Sequence, residues 1–460
     1  MLTYPCFMCS LVQKYNVPGP RYTSYPTVPF WDTDAFSGKQ YKAGLKKSFD
    51  EQNVKDGISL YTHLPFCESM CTFCGCHKRI TRRHEVEGPY IKAVLREWQL
   101  YREILGERPV IRELHLGGGT PTFFSPENLR LLIEGIFRGT QQSEDLECSF
   151  EGHPNNTTKT HLQVLYDLGF RRVSYGVQDY NERVQKTINR IQPFEKVKEA
   201  TERAREIGYT SVGHDLIFGL PHQRLEHIEE TIARTRELLP DRIAFYSYAH
   251  VPWLKGNGQR GYKDTDLPDA SAKRNQYERG KEMLTAAGYT EIGMDHFALE
   301  SDSLYKAMAD GTLHRNFMGY TAMRTGLMLG LGVSSISDSG YGFAQNVKQI
   351  EEYEHLVENR IIPIYRGHLL NSEDQVIRNH ILNLMCRFKT TWTEPDSYFP
   401  QIGEVLEQLG ELAADGLVEI GENELTVTEA GRPFIRNVCM AFDLRLHRKT
   451  PEKRLFSMTV

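Results

Sequence analysis

Three closely spaced cysteines constrain this chain more than any other feature of its sequence. They lie in the segment Cys67-Glu68-Ser69-Met70-Cys71-Thr72-Phe73-Cys74, which follows an apolar stretch typical of a buried strand. Thiolates are soft ligands that suit iron–sulfur clusters, and one short loop with this spacing can hold three corners of a 4Fe–4S cube. The fourth iron of such a cube stays open to a small molecule. We therefore predict Cys67, Cys71 and Cys74 as cluster ligands, with Cys76 too close to Cys74 to bind the same cube.

A zinc knuckle is the alternative interpretation of this loop. Structural zinc sites draw four ligands from two separated pairs, and no second pair follows at such a spacing. Cys6 and Cys9 form another CxxC near the start of the chain. We interpret them as incidental thiols because chain termini are often poorly ordered, and a second metal site there stays open.

Composition excludes several classes of protein. Forty per cent of the 460 residues are hydrophobic, and no apolar run is long enough to span a bilayer. The net charge of −5 argues against nucleic acid as the main partner. The first residues lack the basic start and apolar stretch of a signal peptide. The nine cysteines are therefore expected to be thiols or metal ligands in a cytoplasmic protein.

Strand-like and helix-like stretches alternate between residues 57 and about 290. The predicted strands are 58–64, 111–116, 146–151, 171–177, 210–217 and 242–249. Amphipathic helices are predicted over 89–105 and 193–208, where apolar residues recur on one face. Six β-α units in series predict an α/β fold with a parallel sheet and helices outside it. The pattern alone does not separate a partial barrel from a doubly wound sheet.

Polar and glycine residues follow several of these strands, at the end where parallel folds bind ligands. Gly117-Gly118-Gly119-Thr120 follows the second strand, and glycines there let a ligand approach the backbone. Glu151 ends the third strand, Gln178 and Asp179 end the fourth, and Asp215 lies in the fifth. Arg190 comes soon after the fourth strand. Each could have a structural hydrogen-bonding role, but together they favour a ligand site.

Three segments are predicted in all. Residues 1–50, rich in proline and aromatics, are interpreted as an ordered arm, and residues 51–370 as the catalytic domain. Within the latter, residues 290–370 are expected to form loops over the site. Residues 371–460 are predicted to be mainly helical, with a hairpin at 417–420 and 425–428 that resembles a winged helix. Its acidic surroundings speak against DNA binding and favour a substrate-covering domain.

The motifs together resemble one family, the oxygen-independent coproporphyrinogen III oxidases, which are radical S-adenosylmethionine (SAM) enzymes. The likeness rests on PGPRYTSYPT, the CxxxCxxCxC loop, GGGTPT, GVQD, DLIFGLP, GMDHFA, LHRNFMGYT, GVSSIS and RNVCM, in this order. It implies a partial (β/α)6 radical-SAM barrel with an N-terminal arm and a mainly helical C-terminal domain. His153 departs from the pattern, which has an acidic or amide residue there.

The resemblance also implies ligands, partners and a reaction. It implies a 4Fe–4S cluster on the three cysteines and two SAM molecules per chain. The SAM-contacting positions it implies are Tyr61, Phe73, Gly118, Gly119, Thr120, Glu151, Gln178, Arg190, Asp215, Ala249 and Ile336. The implied reaction converts two propionates of coproporphyrinogen III to vinyls in haem biosynthesis. We expect a monomer that receives electrons from a donor such as flavodoxin or ferredoxin. It is expected to bind neither nucleic acid nor membrane.

Two alternatives stay open at this point. A related haem-binding chaperone is expected to lack Cys76 and the N-terminal arm. A haem-modifying radical SAM methyltransferase is not expected to match so far into the C-terminal segment. For the oxidase, the basic run from His77 to His84 offers cations for the substrate's propionates. We expect Lys78, Arg82 and Arg21 to orient them.

Overall fold

The structure is a computed structural model that describes residues 4–253, 258–259, 261–393, 397, 399–449 and 455–459. The side chains of residues 4–9 are not described. The prediction for Cys6 and Cys9 therefore concerns side chains outside the described residues.

The strands are numbered in chain order. They are β1 (Ile58–Leu64), β2 (Phe66–Cys67), β3 (Arg79–Ile80), β4 (Val110–Gly118), β5 (Gln141–Gly152), β6 (Phe170–Gln178), β7 (Ser211–Phe218), β8 (Arg242–Ser247), β9 (Thr290–Gly293), β10 (His296–Ala298), β11 (His314–Asn316), β12 (Gly319–Thr321), β13 (Met328–Leu331), β14 (Ile336–Asp338), β15 (Gly342–Asn346), β16 (Ile364–Leu369), β17 (Lys389–Thr391), β18 (Val418–Ile420) and β19 (Glu424–Val427).

The α-helices follow the same order. They are α1 (Tyr4–Tyr15), α2 (Gly38–Gln52), α3 (Glu87–Leu105), α4 (Pro126–Phe137), α5 (Lys159–Asp167), α6 (Glu182–Thr187), α7 (Phe194–Ile207), α8 (Leu225–Leu238), α9 (Ala270–Ala286), α10 (Ser303–Ala309), α11 (Ile350–Glu358), α12 (Ser372–Arg387), α13 (Ile402–Ala414), α14 (Ile435–Phe442) and α15 (Leu444–Arg448). Among the described residues, no helix is long and apolar enough to cross a membrane.

One large sheet organises the first three quarters of the chain. Its strand order in the described residues is β16-β15-β14-β13-β1-β4-β5-β6-β7-β8-β10-β9. The strands from β13 to β8 in this order are parallel, and antiparallel strands extend both edges. Strands β1, β4, β5, β6, β7 and β8 are neighbours in chain order, whereas a doubly wound sheet would reverse at a switch point. The partial-barrel prediction is confirmed, and β13 adds a parallel strand that it did not include.

The predicted strands and helices correspond closely to the observed ones. The predicted strand 58–64 has the bounds of β1, and the other five overlap β4 to β8. In α3, residues Tyr90, Val94 and Trp98 are buried at helical spacing against the sheet. In α7, Val197, Ala200 and Ala204 are buried in the same way. The apolar periodicity therefore identified the layer that covers the outer face of the sheet.

The expectation of loops over residues 290–370 is wrong. This region instead contains strands β9 to β16, with β9, β10 and β13 to β16 in the large sheet, together with α10 and α11. Its strands are three to six residues long, and several are buried throughout, as β13 and β15 are. Such short strands show no clear alternation, because both of their faces are covered.

The N-terminal segment is more regular than predicted and packs on the C-terminal residues. It contains α1 and α2, and α2 buries Tyr41, Leu45 and Phe49 at a spacing of four residues. Leu11, Val12, Tyr15, Tyr22 and Tyr25 share a hydrophobic core with residues from 377 onward. Pro18 forms a β-bridge with Met458. The hydroxyl of Tyr22 donates to Asp443 Oδ2 at 3.0 Å.

The predicted helix and hairpin of the C-terminal segment are present, whereas its substrate-covering role stays a prediction. Helix α12 buries Ile377, His380, Ile381 and Leu384. Strands β18 and β19 pair antiparallel as the predicted hairpin, and β17 joins β19 as a third strand. The division of the chain at residues 50 and 370 stays a prediction.

Candidate functional site

Backbone hydrogen bonds close the cysteine loop at the carboxyl end of β1. Strands β2 and β3 pair in parallel, so that Cys67 lies opposite Ile80. The amide of Arg79 donates to the carbonyl of Pro65 at 2.8 Å, and that of Thr81 donates to Cys67 at 2.9 Å. The two ends of the loop are thereby held side by side, and the cysteines project from a closed turn.

His63 ties this turn to β1. Its Nε2 lies 2.9 Å from the carbonyl oxygen of His77, and its Nδ1 lies 3.0 Å from the hydroxyl of Tyr61. Because a carbonyl oxygen only accepts, Nε2 carries the proton and Nδ1 accepts from the tyrosine. Burial lowers the pKa of His63 to about 4, which keeps the ring neutral. This histidine was not among the predicted site residues.

The segment after β6 supports the other side of the loop. The Thr72 amide donates to the carbonyl of Ile188 at 3.0 Å, and its hydroxyl donates to Thr187 at 3.2 Å. The Asn189 side-chain amide donates to the carbonyl of Met70 at 2.8 Å. The cysteine loop is thus held on two sides before any ligand binds.

A cavity of about 680 Å³ opens in front of this loop, at the carboxyl ends of the parallel strands. It brings the three predicted cluster cysteines together with most of the predicted SAM positions. Those lining it are Cys67, Cys71, Cys74, Phe73, Gly118, Gly119, Thr120, Glu151, Gln178, Arg190 and Asp215. Its volume lies within the range of small-molecule sites in proteins.

The glycine turn after β4 packs directly on the cysteine loop. The Gly119 amide donates to Leu64 at 2.8 Å, and the Thr120 amide donates to Phe66 at 3.0 Å. A Cβ at Gly119 would lie 2.7 Å from the Pro65 backbone, so this position needs glycine. The Gly118 amide donates to Glu151 Oε2 at 3.2 Å. The turn therefore fixes Glu151 relative to the cysteines.

Arg190 brings a positive charge to the cysteines. Its Nη1 lies 3.8 Å from the sulfur of Cys71, and its Nη2 donates to the Gly176 carbonyl at 2.6 Å. Its Nε donates to Gln192 Oε1 at 3.1 Å. The guanidinium is thus oriented by two other partners, and it can stabilise thiolates and the anionic group of a ligand.

Asp215 on β7 supplies a carboxyl group to the cavity wall. The Ser174 hydroxyl donates to Asp215 Oδ1 at 2.9 Å. Burial, and then the nearby Glu151, raise the pKa of Asp215 to about 7. A ligand that donates hydrogen bonds, such as a ribose diol, would favour its charged form.

Three predicted SAM positions and one other candidate lie outside the lining of this cavity. Tyr61 lies behind the glycine turn, with its hydroxyl on His63. The side-chain amide of Gln259 donates to the Ala249 carbonyl at 3.0 Å and to the Phe73 carbonyl at 3.2 Å. Ile336 begins β14, which β13 separates from β1. Asp179 is buried and accepts from the Asn181 amide and the Gln223 side chain, as a structural carboxyl does.

The basic residues expected to bind propionates are divided between two places. Lys78 and Arg82 line the cavity. The Lys78 ammonium donates to the carbonyls of Cys74 at 3.1 Å and Cys76 at 3.3 Å. Arg21 lies instead in a second, smaller cavity and pairs with Asp295 at 2.9 Å.

Other cavity residues were not predicted, among them Ser174, Tyr246, Asn189 and Ile191. The alternation of side chains along a strand could have identified two of them, Ser174 and Tyr246. Residues at every second position face the same side, so Ser174 and Gly176 in β6 face the cavity together, as Asp215 and Ile217 do in β7. Tyr246 at the end of β8 continues this inward row.

The donor set fits an iron–sulfur cluster. Three thiols converge on one cavity wall with a guanidinium beside them, and a cube on three thiolates needs such room and such a charge. Within the described ranges, no group of three or more His, Cys, Asp and Glu side chains is arranged to hold a single metal ion.

Comparisons with known proteins define first the class and then the family. Residues 61–235 match the Radical SAM superfamily. The chain is 39% identical over 445 residues to the oxygen-independent coproporphyrinogen III oxidase of Salmonella typhimurium, with 96% of each chain covered. It is 36% identical over 469 residues to that of Synechocystis, covering 100% of this chain and 99% of the relative.

A solved structure agrees with these relatives. Coproporphyrinogen III oxidase (HemN) from Escherichia coli, described as a radical SAM enzyme, superposes with a TM-score of 0.87 at 36% identity. The superposition covers 95% of this chain and 98% of that one. The chain belongs to the family of oxygen-independent coproporphyrinogen III oxidases. The resemblance stated from its motifs is confirmed, and with it a radical SAM enzyme that uses a 4Fe–4S cluster and SAM.

Proposed function

We propose that this protein oxidatively decarboxylates two propionate side chains of coproporphyrinogen III to vinyls, giving protoporphyrinogen IX for haem biosynthesis without oxygen. One observation carries the proposal: three cysteines, the glycine turn and Arg190 line a single cavity, in a chain of this family. For each propionate, a hydrogen atom passes from the β-carbon to a 5′-deoxyadenosyl radical and gives 5′-deoxyadenosine, after which carbon dioxide and one electron are lost. The electron goes to an acceptor of the cell.

The residues of the cavity have distinct tasks in this reaction. Cys67, Cys71 and Cys74 would hold the cluster, and the cavity beside them would take SAM. When bound, the cluster and SAM together supply a 5′-deoxyadenosyl radical. Arg190 and Asp215 orient SAM by its carboxylate and its ribose. Lys78 donates to the carbonyls of Cys74 and Cys76, and these hydrogen bonds keep the cysteine turn in place while the substrate enters.

Two SAM molecules per chain are part of the proposal. Two propionates are oxidised, and polar groups from β5, β6 and β7, with the glycine turn of β4, line the cavity. We assign Glu151 and the glycine turn to one SAM, and Gln178, Arg190 and Asp215 to the other. The cavity volume of about 680 Å³ lies within the range of small-molecule sites. Tyr61, Phe73, Ala249 and Ile336 complete the proposed contacts.

The partners follow from the chemistry. Coproporphyrinogen III carries four carboxylates, and Lys78 and Arg82 present cations at the cavity wall. Reduction of the cluster needs a one-electron donor such as flavodoxin or ferredoxin. We propose a monomer that works in the cytoplasm and binds neither nucleic acid nor membrane.

An activity assay under anaerobic conditions tests this function. The protein is reconstituted with iron and sulfide and is then incubated with coproporphyrinogen III, SAM and a reductant. The expected products are protoporphyrinogen IX, carbon dioxide and 5′-deoxyadenosine. A matched sample without reductant controls for oxidation by trace oxygen. Tight haem binding with no decarboxylation would point to a haem chaperone, and transfer of a methyl group to haem would point to a methyltransferase. Either result would overturn the proposal.

A further inference from the structure

A second cavity, of about 60 Å³, lies where several parts of the molecule meet. We call it the junction cavity. The N-terminal arm, the ends of β7 and β8, helix α9, the β9–β10 segment and the C-terminal segment all contribute to its wall. Its charged lining residues are Arg21, Lys273, Arg274, Glu291, Asp295, Arg432 and Arg436. Its volume is enough for a few water molecules or for one small oxyanion.

The two carboxylates in this wall already have partners. Asp295 Oδ2 accepts from Arg21 Nη1 at 2.9 Å. Glu291 accepts from Lys281 at 2.5 Å and from the Tyr277 hydroxyl at 2.5 Å. Five basic side chains therefore face two carboxylates, and only Arg21 is neutralised within the cavity.

The remaining arginines are held in different ways. Arg274 pairs with Glu278 on its own helix, and Arg432 pairs with Glu429 at 2.7 Å. Both of those carboxylates lie outside the cavity lining. The Nε atoms of Arg274 and Arg432 are buried and have no hydrogen-bond partner in the described part of the chain. Two unused donors thus belong to residues of this wall.

Lys273 and Arg436 form no ion pair among the described residues. The Arg436 side chain is 4% exposed and donates to main-chain carbonyls of the arm and the C-terminal segment, including Pro20 at 2.9 Å and Met458 at 2.7 Å. The Lys273 ammonium donates to the Tyr248 carbonyl at 3.3 Å, which uses one of its three protons. Carbonyl dipoles solvate these cations without neutralising them.

The uncompensated charge is unfavourable for both residues. Burial, and then Arg21 and Arg436, lower the pKa of Lys273 to about 8. Burial, and then Arg21, lower the pKa of Arg436 to about 9. Buried charges in proteins are normally paired, because an unpaired one costs several kcal/mol of desolvation.

We propose that the junction cavity binds a small oxyanion, a carboxylate or a phosphate, on Lys273 and the free Nε donors of Arg274 and Arg432, with Arg436 adding to the positive field. The bound anion links the arm and the C-terminal segment to α9. Without it, the positive charges that these segments present to the cavity repel one another. Its source is either a free anion or a propionate of the substrate, and only the second rests on the proposed function.

Thermal unfolding of the anaerobic, reconstituted enzyme tests the site. Wild type, Lys273→Met and Lys92→Met are compared in phosphate, acetate and chloride at equal ionic strength. Lys92 is an exposed lysine on α3, and this helix contributes no residue to the lining of the cavity. In wild type and Lys92→Met, phosphate or acetate is expected to raise Tm by about 2 °C or more over chloride. In Lys273→Met this gain is lost.

A second comparison separates the sources of the anion. Coproporphyrin III, a stable tetracarboxylate, is added without SAM. A Lys273-dependent rise in Tm with coproporphyrin III but not with free anions assigns the site to a substrate propionate. In chloride alone, Lys273→Met is expected to melt no lower than wild type, because it removes an unpaired charge. If every ligand shifts all three proteins equally, or shifts none of them, the site does not exist. Decarboxylase activity is assayed separately, so its failure would leave this result intact.

Discussion

The Nη1 atom of Arg190 lies 3.8 Å from the sulfur of Cys71. This guanidinium lies beside a cysteine that we assign to the cluster. A cube on three thiolates carries negative charge, which a fixed cation partly offsets. The same arginine faces the cavity and can also bind the carboxylate of SAM. If Arg190 binds SAM as we propose, one side chain couples the charge of the cluster to the binding of its ligand.

The first prediction concerns the cluster ligands. Replacing Cys67, Cys71 or Cys74 by Ser should abolish the visible absorption of the cluster and SAM cleavage, because each thiolate holds a different iron. The variant Cys76→Ser is the matched control and should form the cluster. Anaerobic reconstitution followed by absorption spectroscopy and iron analysis makes the measurement. An intact cluster in Cys71→Ser would refute the assignment.

The second prediction is the number of SAM molecules. Equilibrium dialysis with the reconstituted enzyme should approach two SAM per chain, since two propionates are oxidised and we assign the polar groups of the cavity to two SAM molecules. Asp215→Asn should weaken the binding of one SAM and spare the other, because Asp215 belongs to one set. A clear plateau at one SAM in the wild type would rule this out.

The third prediction concerns Arg82, which lines the cavity beside the exposed Arg83. Arg82→Ala should lower kcat/KM for coproporphyrinogen III by about 10–100-fold, the loss of one hydrogen bond to a charged group. Cleavage of SAM without substrate should stay nearly unchanged. Lys78→Ala is expected to harm both activities, because Lys78 also binds the carbonyls of Cys74 and Cys76.

Arg83→Ala is the control for this comparison, since Arg83 is not part of the cavity lining. It should leave both activities unchanged. If Arg82→Ala lowered both activities equally, Arg82 would belong to the SAM site. If it lowered neither, the basic run would be a solvated surface loop.

The fold could be predicted where periodicity is strong. Strands β1 and β4 to β8 are flanked by glycine or polar residues, and helices such as α3 carry a clear apolar face. The region of β9 to β16 could not be predicted, because its strands are short and are buried by partners distant in sequence. For α2, the pattern of Tyr41, Leu45 and Phe49 was present, but the prolines upstream of it favoured an irregular arm.

The fourth prediction concerns Glu97, a buried carboxyl on α3. It accepts from the Gly332 amide at 2.7 Å, the Tyr353 hydroxyl at 2.6 Å and the Asn346 side chain at 2.7 Å. Burial nevertheless raises its pKa to about 7. The folded protein therefore holds this proton more tightly than the unfolded chain does. The stabilisation is complete below about pH 4.3 and is lost as pH rises through about 7.

Glu97→Gln should remove this pH dependence. Between pH 5 and 7.5, the loss of unfolding free energy in the wild type should exceed that in the variant by about 1–3 kcal/mol, at about 1.4 kcal/mol per pKa unit. Glu202→Gln, at an exposed position of α7, should behave as the wild type does. Chemical unfolding at several pH values makes the comparison, and parallel curves for all three proteins would contradict the assignment.

The site could be predicted from strand ends and motifs, but only in part. Glu151 and Asp215 line the cavity from within β5 and β7, and Arg190 lines it from the segment after β6. His63 and Asp179 show the limit of that reasoning, since each is a polar residue near a strand end whose partners lie inside the protein. Arg21 was expected beside Lys78, yet its place depends on how the arm folds back on Asp295. No local pattern encodes that contact.

The contact between the arm and the C-terminal segment also sets an order for the folding of the chain. Tyr22 and Asp443 are 421 positions apart, and Leu11, Val12 and Tyr15 pack in the same core as residues from 377 onward. At 5–20 residues per second, a ribosome needs roughly 20–80 s to make the stretch between them. During that time the barrel can form, while the apolar residues of the arm have no partner. The apolar side chains between Leu11 and Tyr25 are therefore exposed to aggregation in the nascent chain until their C-terminal partners leave the ribosome.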